Sequence, residues 1–252
     1  KSTLQLIFRW SKESVARWLN LPPMFLSRAF FVVLALSFLG LHSPTGHVHA
    51  ASTDEGVRSS MGVVDIHAHL SPRVWPFILS TMEDNGITMM VNLSGGSSPK
   101  TFVQMQKMTE RTEGRVVHFF TPNFRNMSAP GWGYQQAEML RTSVQEFGYK
   151  GLKIAKVLGL GARDINGLLV EIDDPMLQPL WEMAAFLDVP VAIHTGDPKA
   201  FWDYVTPQNE RYGELSLHPN WSYAERVASG DVAPWYSLLD AFEELVRSNP
   251  GT

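Results

Sequence analysis

The 252-residue chain has the composition of an ordinary soluble protein, with 44% hydrophobic and 18% charged residues. Its formal net charge of -4 gives no basis for nucleic-acid binding. The chain has no cysteine, which excludes disulfides and thiolate metal sites. Any metal ion would therefore be held by His, Asp, Glu or a modified Lys side chain.

The N-terminal part of the chain has the pattern of an export signal. A basic segment precedes Ala29–Leu41, a run of 13 residues without a charge. That length is short for a membrane span but suits the core of a signal peptide. We predict a signal over residues 28–50, cleaved after Ala50, and an exported protein that is periplasmic or secreted. The alternative is an uncleaved N-terminal segment that anchors the protein in a membrane.

The predicted organisation has three parts. Residues 1–50 are the basic segment and signal peptide, residues 51–61 are a polar linker, and residues 62–252 are a partial folded domain. Beyond the signal segment, no stable membrane insertion is expected.

From Gly62 onward, short runs rich in β-branched residues alternate with longer amphipathic segments. The predicted strands are 62–69, 87–93, 115–121, 151–157 and 189–194. The predicted helices are about 72–85, 99–113, 134–147, 175–187 and 235–248, with a long polar and aromatic loop over about 197–236.

Strands that are each followed by a helix predict a parallel α/β fold. A doubly wound sheet and a (β/α)₈ barrel both fit that pattern. No Gly-x-Gly-x-x-Gly follows the first strand, which weakens a dinucleotide-binding interpretation. Polar residues cluster at the carboxyl ends of the strands, where barrel enzymes keep their active sites. We therefore favour a TIM-like barrel of which about five of eight units are present.

Two histidines lie at the end of the first predicted strand, in Val63–Leu70. Residues two apart in a strand project to the same face, so His67 and His69 should lie side by side. Imidazole nitrogen is the commonest protein donor for zinc and similar ions. A histidine pair satisfied by the backbone is the competing interpretation.

Two further residues stand at the ends of later strands. Lys153 lies within the apolar fourth strand, and an ammonium group is costly to bury without a partner. His194 ends the fifth strand, in Ile193-His194-Thr195. Combined with the His-x-His of the first strand, these residues predict a metal site.

The three segments together resemble the amidohydrolase superfamily, in the branch called amidohydrolase family 2. The resemblance rests on Asp65–His69, Gly151–Ile154 and Ile193–Thr195, and it covers residues 62–252. It implies a distorted barrel that holds one or two divalent ions, bound by His67 and His69 from strand 1 and by His194 from strand 5.

The resemblance also implies a role for Lys153 and a base that the sequence does not contain. In two-metal relatives the strand-4 lysine is carbamylated and bridges the ions, whereas in the single-metal branch it often contacts an anionic substrate. We favour one ion, and Zn²⁺ as its identity. The expected catalytic aspartate of strand 8 would lie beyond Thr252.

The long loop after the fifth strand supplies candidate substrate contacts. Such loops shape the pocket in barrel enzymes. The candidates are Asp197, Arg211, His218 and Trp221. Asn92, near the end of the second strand, is a weaker candidate to face the pocket, and His118 is predicted to lie in the core.

The leading functional prediction is a metal-dependent hydrolase that cleaves a C–N or C–O bond of a small molecule with metal-activated water. A metal-dependent non-oxidative decarboxylase of an aromatic acid is the alternative within this family. A non-catalytic secreted binding or scaffold protein is the alternative outside enzymes. Since 191 residues follow from Gly62 and a full barrel takes about 250, we expect this fragment alone to be inactive. The sequence leaves open a homo-oligomer.

Overall fold

The computed structural model describes residues 62–250, so the predicted signal peptide and linker lie outside the described residues. Within that part of the chain, no helix is long and apolar enough to cross a membrane. The described residues form one parallel sheet whose strands alternate with helices.

The sheet has five strands in the described range, each close to a run of β-branched or aromatic residues. They are β1 (Val63–Ala68), β2 (Ile87–Asn92), β3 (Val116–Phe120), β4 (Gly151–Ile154) and β5 (Val191–Ile193). Their order in the sheet is the order of the chain, β1-β2-β3-β4-β5, and every pairing is parallel. A doubly wound sheet reverses direction at a switch point, whereas a barrel adds strands in sequence. The predicted fold, an incomplete TIM-like barrel, is confirmed.

Seven α-helices occur among residues 62–250. Four of them lie between successive strands: α1 (Trp75–Asp84), α2 (Pro99–Arg111), α3 (Trp132–Phe147) and α4 (Gln178–Phe186). A fifth, α7 (Trp235–Ser248), follows the long loop after β5. The long loop after β5, predicted as irregular, also contains two short helices, α5 (Tyr212–Leu215) and α6 (Ala224–Ala228). Four- and five-residue helices show too little of the 3.6-residue period to be recognised in the sequence.

Successive side chains along each strand point to opposite faces of the sheet, so the apolar residues form two separate layers. Side chains such as Met90, Leu152 and Ile193 belong to the main core, which the helices cover. The alternate residues form a smaller cluster, made of Val91, Leu93, Val117 and Phe119 with Ala192 packed against it. This cluster marks the concave face of the sheet, the face that lines the interior of a barrel.

The register of the sheet assigns the site residues to one of these faces. Lys153 pairs with Ala192 in the ladder between β4 and β5, and residues paired in this way point to the same side. His194 follows Ala192 by two residues. Lys153 and His194 therefore share the concave face, at the carboxyl ends of β4 and β5.

Candidate functional site

His67 and His69 converge at the carboxyl end of β1. Their Nε2 atoms lie 3.2 Å apart, and the ring centroids are 5.1 Å apart in an edge-on arrangement. The register of β1 against β2 shifts between Asp65 and Ala68. At that shift, the Asp65 carboxylate accepts a hydrogen bond of 2.9 Å from the backbone N–H of His67.

The two rings are held in the neutral form that a metal ion requires. Burial lowers the pKa of His67, and the charges of Lys153 and His69 lower it further, while Asp65 raises it. Burial and then Lys153 lower the pKa of His69. A neutral imidazole offers a lone pair on one ring nitrogen, so both rings are chemically suited to ligate.

Ser94 contacts the far side of the His69 ring. Its Oγ lies 2.8 Å from His69 Nδ1, and it follows the carboxyl end of β2 directly. The sequence analysis did not select Ser94, since a serine after a strand is common in turns. Its contact with His69, a predicted metal-binding residue, distinguishes Ser94 from other serines in turns.

Asn92 does not face the pocket, as the sequence suggested, but lies fully buried on the helix side of the sheet. Its Oδ1 accepts hydrogen bonds from the backbone N–H groups of Leu70 and Ser94, at 2.9 and 3.0 Å. Its Nδ2 donates to His118 Nδ1 at 3.0 Å. At this buried position the amide makes its hydrogen bonds within the protein. An amide that faced the pocket would make them with solvent or a ligand.

His118 lies in the core, with 2% of its surface exposed, as predicted. Burial lowers its pKa to about 4. It is therefore a neutral acceptor for Asn92 at physiological pH.

Lys153 is nearly fully buried, with 4% of its surface exposed. Burial lowers its pKa to about 8. Within residues 62–250 no Asp or Glu forms a salt bridge with it. Its charge contributes to the lowered pKa of His67, His69 and His194.

His194 is half-buried, and its buried Nε2 atom has no hydrogen-bond partner. Burial is the main reason that its pKa falls to about 4, with Lys153 as the next cause. His118 Nε2 in the core is unsatisfied as well, so the missing partner alone does not mark a ligand site, but His194 Nε2 is an atom that a bound ion would satisfy.

The donor set fits a divalent ion in part. Two imidazole nitrogens meet at one point, and a third buried imidazole nitrogen has no other partner. Across residues 62–250, however, no group of three or more His, Asp or Glu side chains is arranged to hold an ion. His67 and His69 are thus the pair that the structure brings together, and the contribution of His194 stays a prediction.

Asp197 anchors the loop that follows β5. Its carboxylate accepts hydrogen bonds from Lys156 Nζ at 2.8 and 2.7 Å and from the hydroxyl of Tyr223 at 2.7 Å. The indole N–H of Trp235 donates to the Asp197 carbonyl at 3.2 Å. The observed contacts of Asp197 are therefore structural, and a contact with substrate stays a prediction.

The other loop candidates are spread over the surface. Arg211 pairs with Glu214 at 3.3 Å, within its own turn. The rings of His218 and Trp221 stack on each other at 4.1 Å, and Trp221 is 43% exposed. Among the described residues, their hydrogen bonds and ring contacts join them to the loop and not to His67 or His69.

Comparison with known proteins gives structural matches only. No protein-family model and no curated protein sequence matches the chain. A solved structure of 2,6-dihydroxybenzoate decarboxylase complexed with 2,6-dihydroxybenzoate is similar with a TM-score of 0.46 and 17% identity, over 76% of this chain and 65% of that one.

Two structures of 5-carboxyvanillate decarboxylase from Novosphingobium aromaticivorans, both with manganese, are similar with TM-scores of 0.36 and 0.37. Each is 15% identical, over 57% of this chain and 38% of that one.

The chain spans less than two thirds of the length of these matched structures. At this level of similarity, the activity of the chain has to be inferred from its own side chains. The observed architecture, a sequentially ordered parallel barrel segment with polar groups at its carboxyl end, is the architecture that the resemblance to amidohydrolase family 2 implies.

Proposed function

We propose that the complete protein is a metal-dependent enzyme that acts on a small aromatic carboxylic acid and releases its carboxyl group as CO₂. The observation that carries the proposal is the combination of a converging histidine pair and a buried lysine without a carboxylate partner. His67 and His69, with His194, would hold the ion. When bound, the ion supplies a positive charge that orients the substrate and stabilises developing negative charge.

Lys153 supports an anionic substrate. An ammonium group that is removed from water without a counter-charge is unfavourable, and a bound carboxylate would supply that charge. In decarboxylation the C–C bond to the carboxyl group breaks, its electron pair stays on the ring carbon, and a proton replaces CO₂ there. Lys153 would hold the acid in place during that exchange.

Hydrolysis by metal-activated water is the second candidate. The neutral imidazoles of His67 and His69 favour it, because they would hold a Zn²⁺ ion whose charge would lower the pKa of bound water to about 7. An imidazole set also suits Zn²⁺ better than Mn²⁺, so we propose Zn²⁺ as the ion. Export of the protein, as its N-terminal sequence predicts, stays part of the proposal.

The test uses the protein expressed from its complete reading frame, loaded with Zn²⁺ or Mn²⁺. Because the matched structures are decarboxylases of aromatic acids, 2,6-dihydroxybenzoate and 5-carboxyvanillate are suitable substrates. We expect CO₂ release that depends on metal. Metal-dependent cleavage of amides or esters without CO₂ release would favour the hydrolase, and no turnover of either kind would favour a binding protein.

A variant sharpens the role of Lys153. Lys153→Met keeps the length and apolar volume of the side chain but removes its charge. We expect the affinity for the aromatic acid to fall by about tenfold or more, because a charge-assisted hydrogen bond is lost. Lys156→Met is the control, since the ammonium of Lys156 is already paired with Asp197. Equal losses in the two variants would contradict the proposal.

A further inference from the structure

The hydrogen bonds around the His69 ring connect it to the interior of the protein. His69 Nδ1 contacts Ser94 Oγ at 2.8 Å, and the backbone N–H of Ser94 donates to Asn92 Oδ1 at 3.0 Å. The same Oδ1 accepts from the backbone N–H of Leu70, which directly follows His69, at 2.9 Å. One buried oxygen therefore fixes both the residue after the histidine and the serine that contacts its ring.

The orientation of the Asn92 amide is determined by these contacts. Because Oδ1 accepts from two backbone N–H groups, Nδ2 must face His118 Nδ1, 3.0 Å away. His118 Nδ1 is then an acceptor, and its proton lies on Nε2. The two backbone N–H groups thus prevent the Asn92 amide from turning over, and they thereby set the tautomer of His118.

The turn that carries Ser94 is fixed on its other side as well. The hydroxyl of Tyr149 donates to the Gly95 carbonyl at 2.7 Å, and the hydroxyl of Thr121 donates to the Leu93 carbonyl at 3.1 Å. A Cβ atom at Gly95 would clash with the carbonyl oxygen of Phe119, so this position requires glycine. Ser94 consequently has little freedom to move away from His69.

We propose that Ser94 and Asn92 are positioning residues that hold His69 with its proton on Nδ1 and its lone pair on Nε2, directed at the ion. The inference rests on the proposed metal site. When Nδ1 donates to Ser94 Oγ, Nε2 carries the lone pair, and Nε2 is the atom that lies 3.2 Å from His67 Nε2. Hydrogen bonds to the second nitrogen of a ligating histidine commonly fix its tautomer in this way.

The test measures the tautomer and the metal affinity separately in the full chain. Long-range ¹H–¹⁵N correlation spectra of the metal-free protein report which nitrogen of His69 carries the proton. In Ser94→Ala we expect the proton to redistribute over both ring nitrogens and the Zn²⁺ affinity to fall by about 10–100-fold. Ser94→Thr, which keeps the hydroxyl, should restore both values.

The control is Ser98→Ala. Ser98 caps α2 by accepting a hydrogen bond from Thr101, and among the described hydrogen bonds its partners lie in that turn and not at His69. Loss of that cap should lower the free energy of unfolding modestly. The tautomer of His69 and the Zn²⁺ affinity should not change.

Asn92 is tested by two substitutions of similar size. Asn92→Asp keeps an oxygen for the two backbone N–H groups, and Asn92→Leu removes it. We expect the His69 tautomer to be retained in the first and lost in the second. If Asn92→Leu does not fold, the comparison of Ser94→Ala with Ser94→Thr still tests the inference.

The possible results separate this inference from the proposed function. An unchanged tautomer together with an unchanged Zn²⁺ affinity in Ser94→Ala would overturn the inference. A parent protein that binds no Zn²⁺ but shows the predicted tautomer shift would overturn the metal site and leave the positioning role of Ser94 supported.

Discussion

The polar groups at the β1 and β2 end of the described sheet differ in their hydrogen bonding from those at the β4 and β5 end. At the carboxyl ends of β1 and β2, the imidazoles of His67 and His69 reach the surface of the site, and buried Asn92 fixes the backbone around them. At the carboxyl ends of β4 and β5, buried Lys153 has no salt bridge and the buried Nε2 of His194 has no partner, while Asp197 is hydrogen-bonded nearby. The hydrogen bonds at the β1 and β2 end are therefore complete without a ligand. The β4 and β5 end has a positive charge and a ring lone pair that a ligand could use.

This difference in hydrogen bonding indicates which side chains are expected to contact a ligand. Side chains with complete hydrogen bonds, such as Asn92 and Asp197, shape the site. Side chains that are buried without partners are unfavourable on their own, and a ligand is the simplest source of what they lack.

Removal of the histidine pair should have the largest effect. In His67→Ala/His69→Ala we expect the Zn²⁺ affinity to fall by at least about 100-fold, because two ligands are removed together. Competition against a chromogenic chelator measures this loss. His218→Ala is the matched control, since His218 is exposed and stacks on Trp221. A double variant that binds Zn²⁺ as well as the control would show that the β1 end is not the metal site.

The pH dependence of folding should show how much the β1 and β2 end depends on neutral His118. The pKa of His118 is about 4 in the folded protein, below its ordinary 6.5. Between these values the unfolded chain binds the proton more tightly, so stability falls as the pH decreases from 6.5 to 4. The loss at pH 4 should approach about 3 kcal/mol.

Urea denaturation from pH 4 to 7.5 tests this expectation. His118→Gln keeps an acceptor for Asn92 but does not titrate, so its stability should fall less over the same pH range. Other histidines contribute equally to both proteins and cancel in the difference. Parallel pH profiles for the two proteins would contradict a neutral, buried His118.

The fold was largely predictable from the sequence, whereas the details of the site were less so. Short apolar runs rich in β-branched and aromatic residues located all five strands, because most of these side chains pack against one of the two faces of the sheet. Asn92 was misassigned because its face depends on the register of β2, which the alternation of its apolar neighbours does not reveal. Ser94 was missed because its contact with His69 depends on the conformation of the turn after β2, which the sequence does not reveal. The burial of Lys153 was expected, since an apolar run surrounds it.

A smaller effect is expected at Asp197, the paired carboxylate near the β4 and β5 end. Asp197→Asn removes the charge that Lys156 and Tyr223 share. We expect the free energy of unfolding to fall by about 1–2 kcal/mol and proteolysis of the loop after β5 to accelerate. Asp203→Asn is the control on the same loop, because its pair with Lys199 is exposed and should contribute at most about 0.5 kcal/mol. Equal effects in both variants would show that Asp197 does not anchor the loop.

The smallest effect on stability is expected at the tip of that loop. Trp221→Ala removes an exposed ring that stacks on His218, so stability should change by about 0.5 kcal/mol or less. The same variant tests the predicted substrate contact of Trp221. A loss of aromatic-acid affinity of about threefold, equivalent to ~0.7 kcal/mol, would assign this ring to the pocket.

The sequential order of the strands has a consequence for how the protein is made. Each strand pairs with the strand synthesised just before it, so every new βα unit can add to an edge that already exists. His67, His69, Asn92 and Ser94 all lie in the first two units, although the ring that fixes Asn92 comes with β3. We therefore expect the histidine pair to come together early in folding, before β5 and His194 join the sheet.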